Sequence, residues 1–291
     1  FQAEDGIRDQ GDGLVGSEMC IRDRRYIALI EEMQGAARRM MICGLHVHVG
    51  IDDDDLRIDV MNQLTYFLPH MLALSCSSPF WEADKTGLMS FRLGIFNGVP
   101  RTGLPEVFTS WGEYQRVTST LIENEVIADT SRIWWDLRPS AKFPTLEIRV
   151  MDCCTTLEDT LRLAALSQCL VRMLYRLRRA NQRWRMYSSL LVGENRWRAM
   201  RYSTDAGMLD LGRRRIVDFS ELLEELIELV REDAEALECG SEIDGLRQIL
   251  ARGTSAHRQL GVYERALSEG ASVEQALEAV AGWLVTETAR F

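Results

Sequence analysis

The spacing of apolar residues changes period several times along the chain. From Gly44 to Gly50 the residues read Gly-Leu-His-Val-His-Val-Gly. Apolar and imidazole side chains alternate there, which predicts a strand carrying His46 and His48 on one face. From Pro144 to Asp152 the same device recurs, with Glu147 and Arg149 on one face and Leu146, Ile148 and Val150 on the other. Ser131 to Arg138 alternates enough to predict a further strand that places Arg132, Trp134, Asp136 and Arg138 together. Helical spacing governs most of the remainder. It predicts helices from Arg25 to about Arg39, from Leu56 to about Cys76, from Trp111 to about Val126 and over Glu194 to Arg201. Three more run from Phe219 to Leu237, from Ile243 to Leu250 and onward from a capping box at Ser272-x-x-Gln275, and Thr155-x-x-Glu158 caps a helix reaching about Ala180. Asp52 to Asp55 stand where N-caps belong. Met208 to Val217 suits a hairpin turning at Gly212, and Ser77 to Pro105, with its prolines and glycines, reads as a long irregular connection.

Composition narrows the class. With 291 residues, 46% of them hydrophobic, the chain can bury one sizeable core. A net charge of -10 argues against a general polyanion-binding surface and hence against nucleic acid, so any bound phosphate must meet local arginines. The seven cysteines, Cys20, Cys43, Cys76, Cys153, Cys154, Cys169 and Cys239, form no Cys-x-x-Cys pair, so neither a disulfide framework nor a zinc site is expected. A reducing cytoplasm fits that usage. No apolar run is long enough to span a bilayer, and no signal-like segment opens the chain, so neither export nor membrane insertion is expected. Residues 1–24 carry six acids against three bases and a near-repeat, Gly6-Ile-Arg-Asp9 against Cys20-Ile-Arg-Asp23. They read as a non-native or disordered leader resembling a translated adapter.

The candidate chemistry lies on the two alternating stretches. Taken singly, each has a simpler reading: paired histidines on a wet face, and a cross-strand ion pair. Together they offer imidazole, carboxylate and guanidinium. Magnesium prefers oxygen ligands and bridges carboxylates to nucleotide phosphates, a role that Glu147 and His46 suit. Arg92, Arg138 and Arg149 would neutralise a phosphoryl group in transfer or a substrate carboxylate. No Walker loop and no Gly-x-Gly-x-x-Gly follows a strand, so a nucleotide would sit on a sheet surface. His70, within Leu68-Pro-His-Met-Leu72, is expected to be a partly buried structural residue, and His257 and the arginines of Glu194 to Arg201 are expected on the surface.

Gly44 to Gly50, Ser90-Phe-Arg92 with Pro100-x-x-Gly-x-Pro105, Trp134-Trp-Asp-x-Arg-Pro-Ser140, Leu146-Glu-Ile-Arg-Val-Met-Asp152 and Glu194-Asn-Arg-Trp197 occur in this order. Together they resemble the bacterial carboxylate-amine ligases of the second glutamate-cysteine ligase family, from about residue 25 to the C-terminus. The resemblance implies an α+β fold like that of glutamine synthetase, a curved antiparallel sheet forming an active-site funnel backed by helices. It also implies an ATP-dependent ligation in which glutamate or another carboxylate becomes an acyl phosphate that cysteine or another amine attacks. On that resemblance His46 and Glu147 would bind Mg2+, His48 would approach the ATP phosphates, Arg149 would stabilise the transferring group, and Arg92 and Arg138 would hold phosphate or carboxylate. Such enzymes open with a strand of closely spaced glutamates that nothing before His46 matches, so residues 25–291 are expected to be a catalytic domain lacking its first strands, with little activity in isolation. Exposed sheet edges leave a homodimer open. The alternatives are a guanidino phosphotransferase of similar architecture and a non-catalytic nucleotide- or amino-acid-binding protein.

Overall fold

The computed structural model describes residues 31–36 and 39–290. The leader at 1–24 and most of the helix expected over 25–39 lie outside the described residues. Three antiparallel strands form the main sheet in the order β1 (Val47–Gly50), β7 (Thr145–Ile148) and β6 (Leu137–Pro139). The register sets Val47 and Leu137 against Ile148, and His48 and Arg138 against Glu147. Alternation thus gives the sheet one apolar face, on which Leu137, Leu146 and Ile148 are fully buried, and one charged face.

The helix that follows β1 packs on the apolar face. In α1 (Asp54–Leu64) the aspartate run does structural work. Asp53 is the N-cap, accepting from Leu56 N at 2.7 Å, Asp54 pairs with Arg57 at 2.8 Å, and Asp55 accepts from Trp111 N at 2.8 Å. Arg57 itself is buried and donates twice to Ile51 O, tying the end of β1 to the start of α1. A 3₁₀ turn, Thr65–Phe67, joins α1 to α2 (Leu68–Ser75), whose side chains are buried along its length. His70 lies there, 5% exposed among Tyr66, Phe67 and Phe219, so the structural reading of that residue holds.

The connection from Ser77 to Pro105 is less irregular than expected. It holds the β2 (Phe80–Trp81) and β3 (Asp84–Lys85) pair, the short helix α3 (Phe91–Phe96) and β4 (Thr102–Gly103). After α4 (Trp111–Glu123), the strand expected over Ser131 to Arg138 is broken in two. β5 (Trp134–Trp135) pairs in parallel with β4, whereas β6 pairs with β7. Between them Asp136 donates its N–H to Gly103 O and turns its side chain into the interior.

The long helix α5 (Leu157–Arg179) is capped by Thr156, one residue later than expected, because the Thr155 hydroxyl is bonded to Ser255 instead. Its arginines Arg172 and Arg176 grip Asp233, which is fully buried on α7 (Phe219–Ala236). α6 (Ser189–Tyr202) precedes the expected hairpin of β8 (Met208–Asp210) and β9 (Arg215–Val217). The expectation that its arginines face solvent fails at Arg196, which is 8% exposed and bonded to Asp136 at 2.5 and 3.2 Å. α8 (Gly240–Arg252), α9 (Ser255–Ser268) and α10 (Val273–Thr288) complete the helical part, and α10 begins at the predicted Ser272–Gln275 capping box. His257 is not a free surface residue: it closes the α9 capping box with Thr254 and pairs with Asp205 at 2.9 Å. The fold is therefore mixed α and β with small, mainly antiparallel sheets. The described residues supply three strands of the main sheet rather than a closed funnel, and none of their helices is long and apolar enough to cross a membrane.

Burial lowers the His70 pKa to about 4 against the weaker opposing pull of Asp210. Such a histidine costs nothing above its unfolded pKa near 6.5, but as pH falls only the unfolded chain takes the proton, so stability drops between about 6.5 and 4. His70→Leu should remove up to about 3 kcal/mol of that acid sensitivity in urea titrations across this range. Arg196→Met, which strands the buried Asp136 carboxylate, should cost about 3–5 kcal/mol in the same assay, and adding Asp136→Leu should recover much of the loss.

Candidate active site

On the charged face of the sheet, register places His48, Glu147 and Arg138 in one row across three strands. Arg149, two residues beyond Glu147, and His46, two before His48, extend the row on the same face. Glu147 is 4% exposed and is shared between two guanidiniums. Arg138 Nε donates to Oε2 at 2.9 Å, and Arg149 Nη1 donates to Oε1 at 2.5 Å. Arg138 is fixed further by donating to Ser131 O at 2.8 Å and Ile133 O at 2.5 Å. Arg149 is set by its backbone, whose N–H donates to Asp136 O at 2.7 Å.

Both histidines border this cluster. His46 Nδ1 lies 3.4 Å from Glu147 Oε1 and from Arg149 Nη1. His48 Nδ1 contacts Thr145 Oγ1 at 2.9 Å, with Nε2 3.9 Å from Glu147 Oε1. Burial, reinforced by the Arg149 charge, lowers the His46 pKa to about 3 despite Glu147, so this imidazole is neutral at physiological pH. Burial acts to raise the Glu147 pKa, but the hydrogen bond from Arg138 and the charge of Arg149 outweigh it and hold the carboxyl down at about 2. Two cations, one anion and a neutral His46 leave the patch positive. The Arg149 side chain is only 10% exposed, and its buried Nε has no hydrogen-bond partner.

This donor set fits an oxyanion and fits magnesium poorly. Both Glu147 oxygens already accept from arginine, and among the described residues no three His, Cys, Asp or Glu side chains converge as a metal site would require. Guanidinium forks match phosphate and carboxylate oxygens, and an unpartnered buried N–H is a donor waiting for one.

Arg92 stands apart from the other predicted residues. It is 5% exposed, donating to Val150 O at 3.2 Å and Arg149 O at 2.9 Å, with Asp152 at 3.5 Å. Its guanidinium is spent on the backbone of the strand that carries Arg149, and both cations lie 6.0 Å from the Phe96 ring. Asp152 in turn accepts from Ser77 N and from the Ser78 and Ser90 hydroxyls at 2.8–2.9 Å. Sequence reasoning missed this node and the Asp136–Arg196–Asn97 cluster, although Ser90-Phe-Arg92 and Glu194-Asn-Arg-Trp197 both stood out as motifs.

A family model described as glutamate-cysteine ligase family 2 matches residues 3–279. A Rhodospirillum rubrum protein provisionally named glutamate-cysteine ligase 2 is 54% identical over 264 residues, covering 91% of this chain and 68% of the relative. A Herpetosiphon aurantiacus protein of the same name is 41% identical over 271 residues, covering 89% of this chain and 70% of the relative. Among solved structures, the glutamate-cysteine ligase of Francisella tularensis in complex with AMP aligns with a TM-score of 0.51 at 11% identity, over 81% of this chain and 59% of that one. The last likeness is one of fold, and this chain spans less than two thirds of that neighbour's length. A family model that takes in nearly the whole chain, and relatives up to 54% identical over nine-tenths of it, show that the chain belongs to glutamate-cysteine ligase family 2.

Proposed function

We propose that the chain carries the phosphoryl-binding wall of an ATP-dependent carboxylate-amine ligase of the glutamate-cysteine type. The observation that carries this reading is the Arg138–Glu147–Arg149 cluster, a positive, largely buried strand surface with an unsatisfied Arg149 Nε. Support also comes from the family's name and from the nucleotide bound by the Francisella tularensis enzyme. In the reaction, an oxygen of the acceptor carboxylate attacks the γ-phosphorus of ATP and ADP leaves. The amine nitrogen then attacks the acyl carbon, expelling phosphate and forming the amide.

Arg149 and Arg138 offset the negative charge that gathers on the phosphoryl oxygens in both steps, and fixing them in advance avoids reorganisation at the moment of transfer. Glu147 holds the two guanidiniums side by side and keeps them from repelling each other. Neutral His46 adds a polar contact without a second anion, and His48, steadied by Thr145, faces the same oxygens. Arg92 is a positioning residue, acting through the Arg149 and Val150 carbonyls. The described residues assign magnesium no shell of its own.

Arg149→Gln should lower kcat/KM by about 10²–10³-fold in an assay of ADP release from Mg-ATP with glutamate and cysteine, while leaving the far-ultraviolet spectrum unchanged. If Mg-ATP leaves the denaturation midpoint of the wild-type chain unchanged, the phosphoryl-wall reading fails whether or not the chain turns over by itself. Glu147→Gln strands two guanidiniums in a largely buried setting and should cost about 3–5 kcal/mol of stability in urea. Inorganic phosphate should raise the denaturation midpoint of that variant more than that of wild type, because the added anion takes the lost carboxylate's place. In the wild type the Glu147 contribution is present above the unfolded value near 4.5 and is lost as pH falls towards about 2.

A further inference from the structure

Pairing between the β1 and β7 segments resumes past the regular strands, shifted by one residue. Leu45 N–H donates to Met151 O at 3.1 Å, and Gly44 bridges Asp152 in antiparallel fashion. The next residues outward, Cys43 and Cys153, therefore stand opposite each other. Opposed residues of an antiparallel pair have Cα atoms about 4.5–5.5 Å apart, inside the span of about 4.4–6.8 Å that a disulfide bridges. Both residues are exposed, in a cleft that Arg92, Asp152 and Trp81 also line.

We propose that Cys43 and Cys153 form a thiol–disulfide exchange site for low-molecular-weight disulfides. The Cys43 thiolate attacks one sulfur of the small disulfide, breaking its S–S bond and releasing one thiolate, which takes a proton from water. Cys153 then attacks the mixed disulfide at Cys43, its proton passing to the second departing thiolate. The chain gains one cross-strand disulfide and loses two hydrogens, and the small disulfide is reduced to two thiols.

The roles of the two sulfurs are unequal. The hydrogen bond from Cys153, aided by the Arg92 charge, holds the Cys43 thiol at about 6 against the opposing cost of burial. The same hydrogen bond and burial push the Cys153 thiol up, which suits a resolving group. Burial pushes the Cys76, Cys154 and Cys169 thiols up as well. The rival pair is Cys169 and Cys239, whose sulfurs lie 3.5 Å apart, but Cys169 is fully buried.

The test treats the full chain with hydroxyethyl disulfide, a neutral reagent with no claim on the oxyanion site, then alkylates free thiols and maps the products by mass spectrometry. The Cys43–Cys153 peptide should be the first cross-link. Its rate should fall about tenfold from pH 7 to pH 5, where an ordinary thiol would lose about a hundredfold. Cys153→Ser should accumulate the mixed disulfide at Cys43, and Cys43→Ser should form no cross-link at Cys153. First modification at Cys239 or any other cysteine, a hundredfold pH dependence, or a Cys153→Ser variant that stays unmodified at Cys43 would each overturn the proposal. None of these outcomes bears on whether the oxyanion wall works as a ligase.

Discussion

The constraint on which the site depends is strand register. Because β7 lies between β1 and β6, Glu147 is flanked by His48 on one side and Arg138 on the other, while Leu146 and Ile148 enter the core. A slip of one residue would exchange the two faces, sending a carboxylate and a guanidinium into the hydrocarbon packed on α1 and α5 and lifting the core residues into water. Register here is enforced from both sides, by burial of apolar atoms below and by pairing of charges above. The charged surface of this small sheet is thereby tied to the same register as its core.

Polar struts extend this rigidity outward. Asp136 joins β4 through its amide, Arg149 just past β7 through its carbonyl, and α6 through Arg196, which also reaches Asn97 at the end of α3. Asp152 gathers three donors from the connection after α2 and lies beside Arg92. Buried ions of this kind add little net stability over apolar replacements, but each has few alternative partners, so they fix where strands and loops meet. The result suits chemistry on phosphoryl and carboxylate oxygens, where positioned charge does most of the work. It also explains why the resolved donors favour an anion, since the one central carboxylate is already matched by two arginines.

Local signals were read well from sequence. The alternation at Gly44–Gly50 and Pro144–Asp152, the aspartate cap before α1, the hairpin around Gly212 and the Ser272 capping box all depend on residues within a few positions of one another. The sharing of one strand face by His46 and His48, and by Glu147 and Arg149, was legible in the same way, whereas their meeting with Arg138 comes from the register of three strands. What escaped depended on distant partners. Arg196 looks like any surface arginine of a helix until Asp136, sixty residues earlier, meets it in the interior, and that encounter also breaks the strand expected over Ser131 to Arg138. The acceptors of Arg92 are the Val150 and Arg149 carbonyls, which carry no mark in the sequence. The cap at Thr156 rather than Thr155 followed from a hydroxyl partner a hundred residues away.

Gly44 ties these themes together. A Cβ placed on it would fall 2.3 Å from the Arg92 Nη2 atom, and that guanidinium is pinned by two carbonyls and cannot easily swing aside. The absent side chain at one position is thus the space occupied by the cation at another. Sterically, the choice of residue at one position limits the choice at the other. A lineage that shortens Arg92 frees position 44 to acquire a side chain, whereas one that first acquires the side chain displaces the strut beneath Arg149, so the order in which the two changes can accumulate is set by geometry.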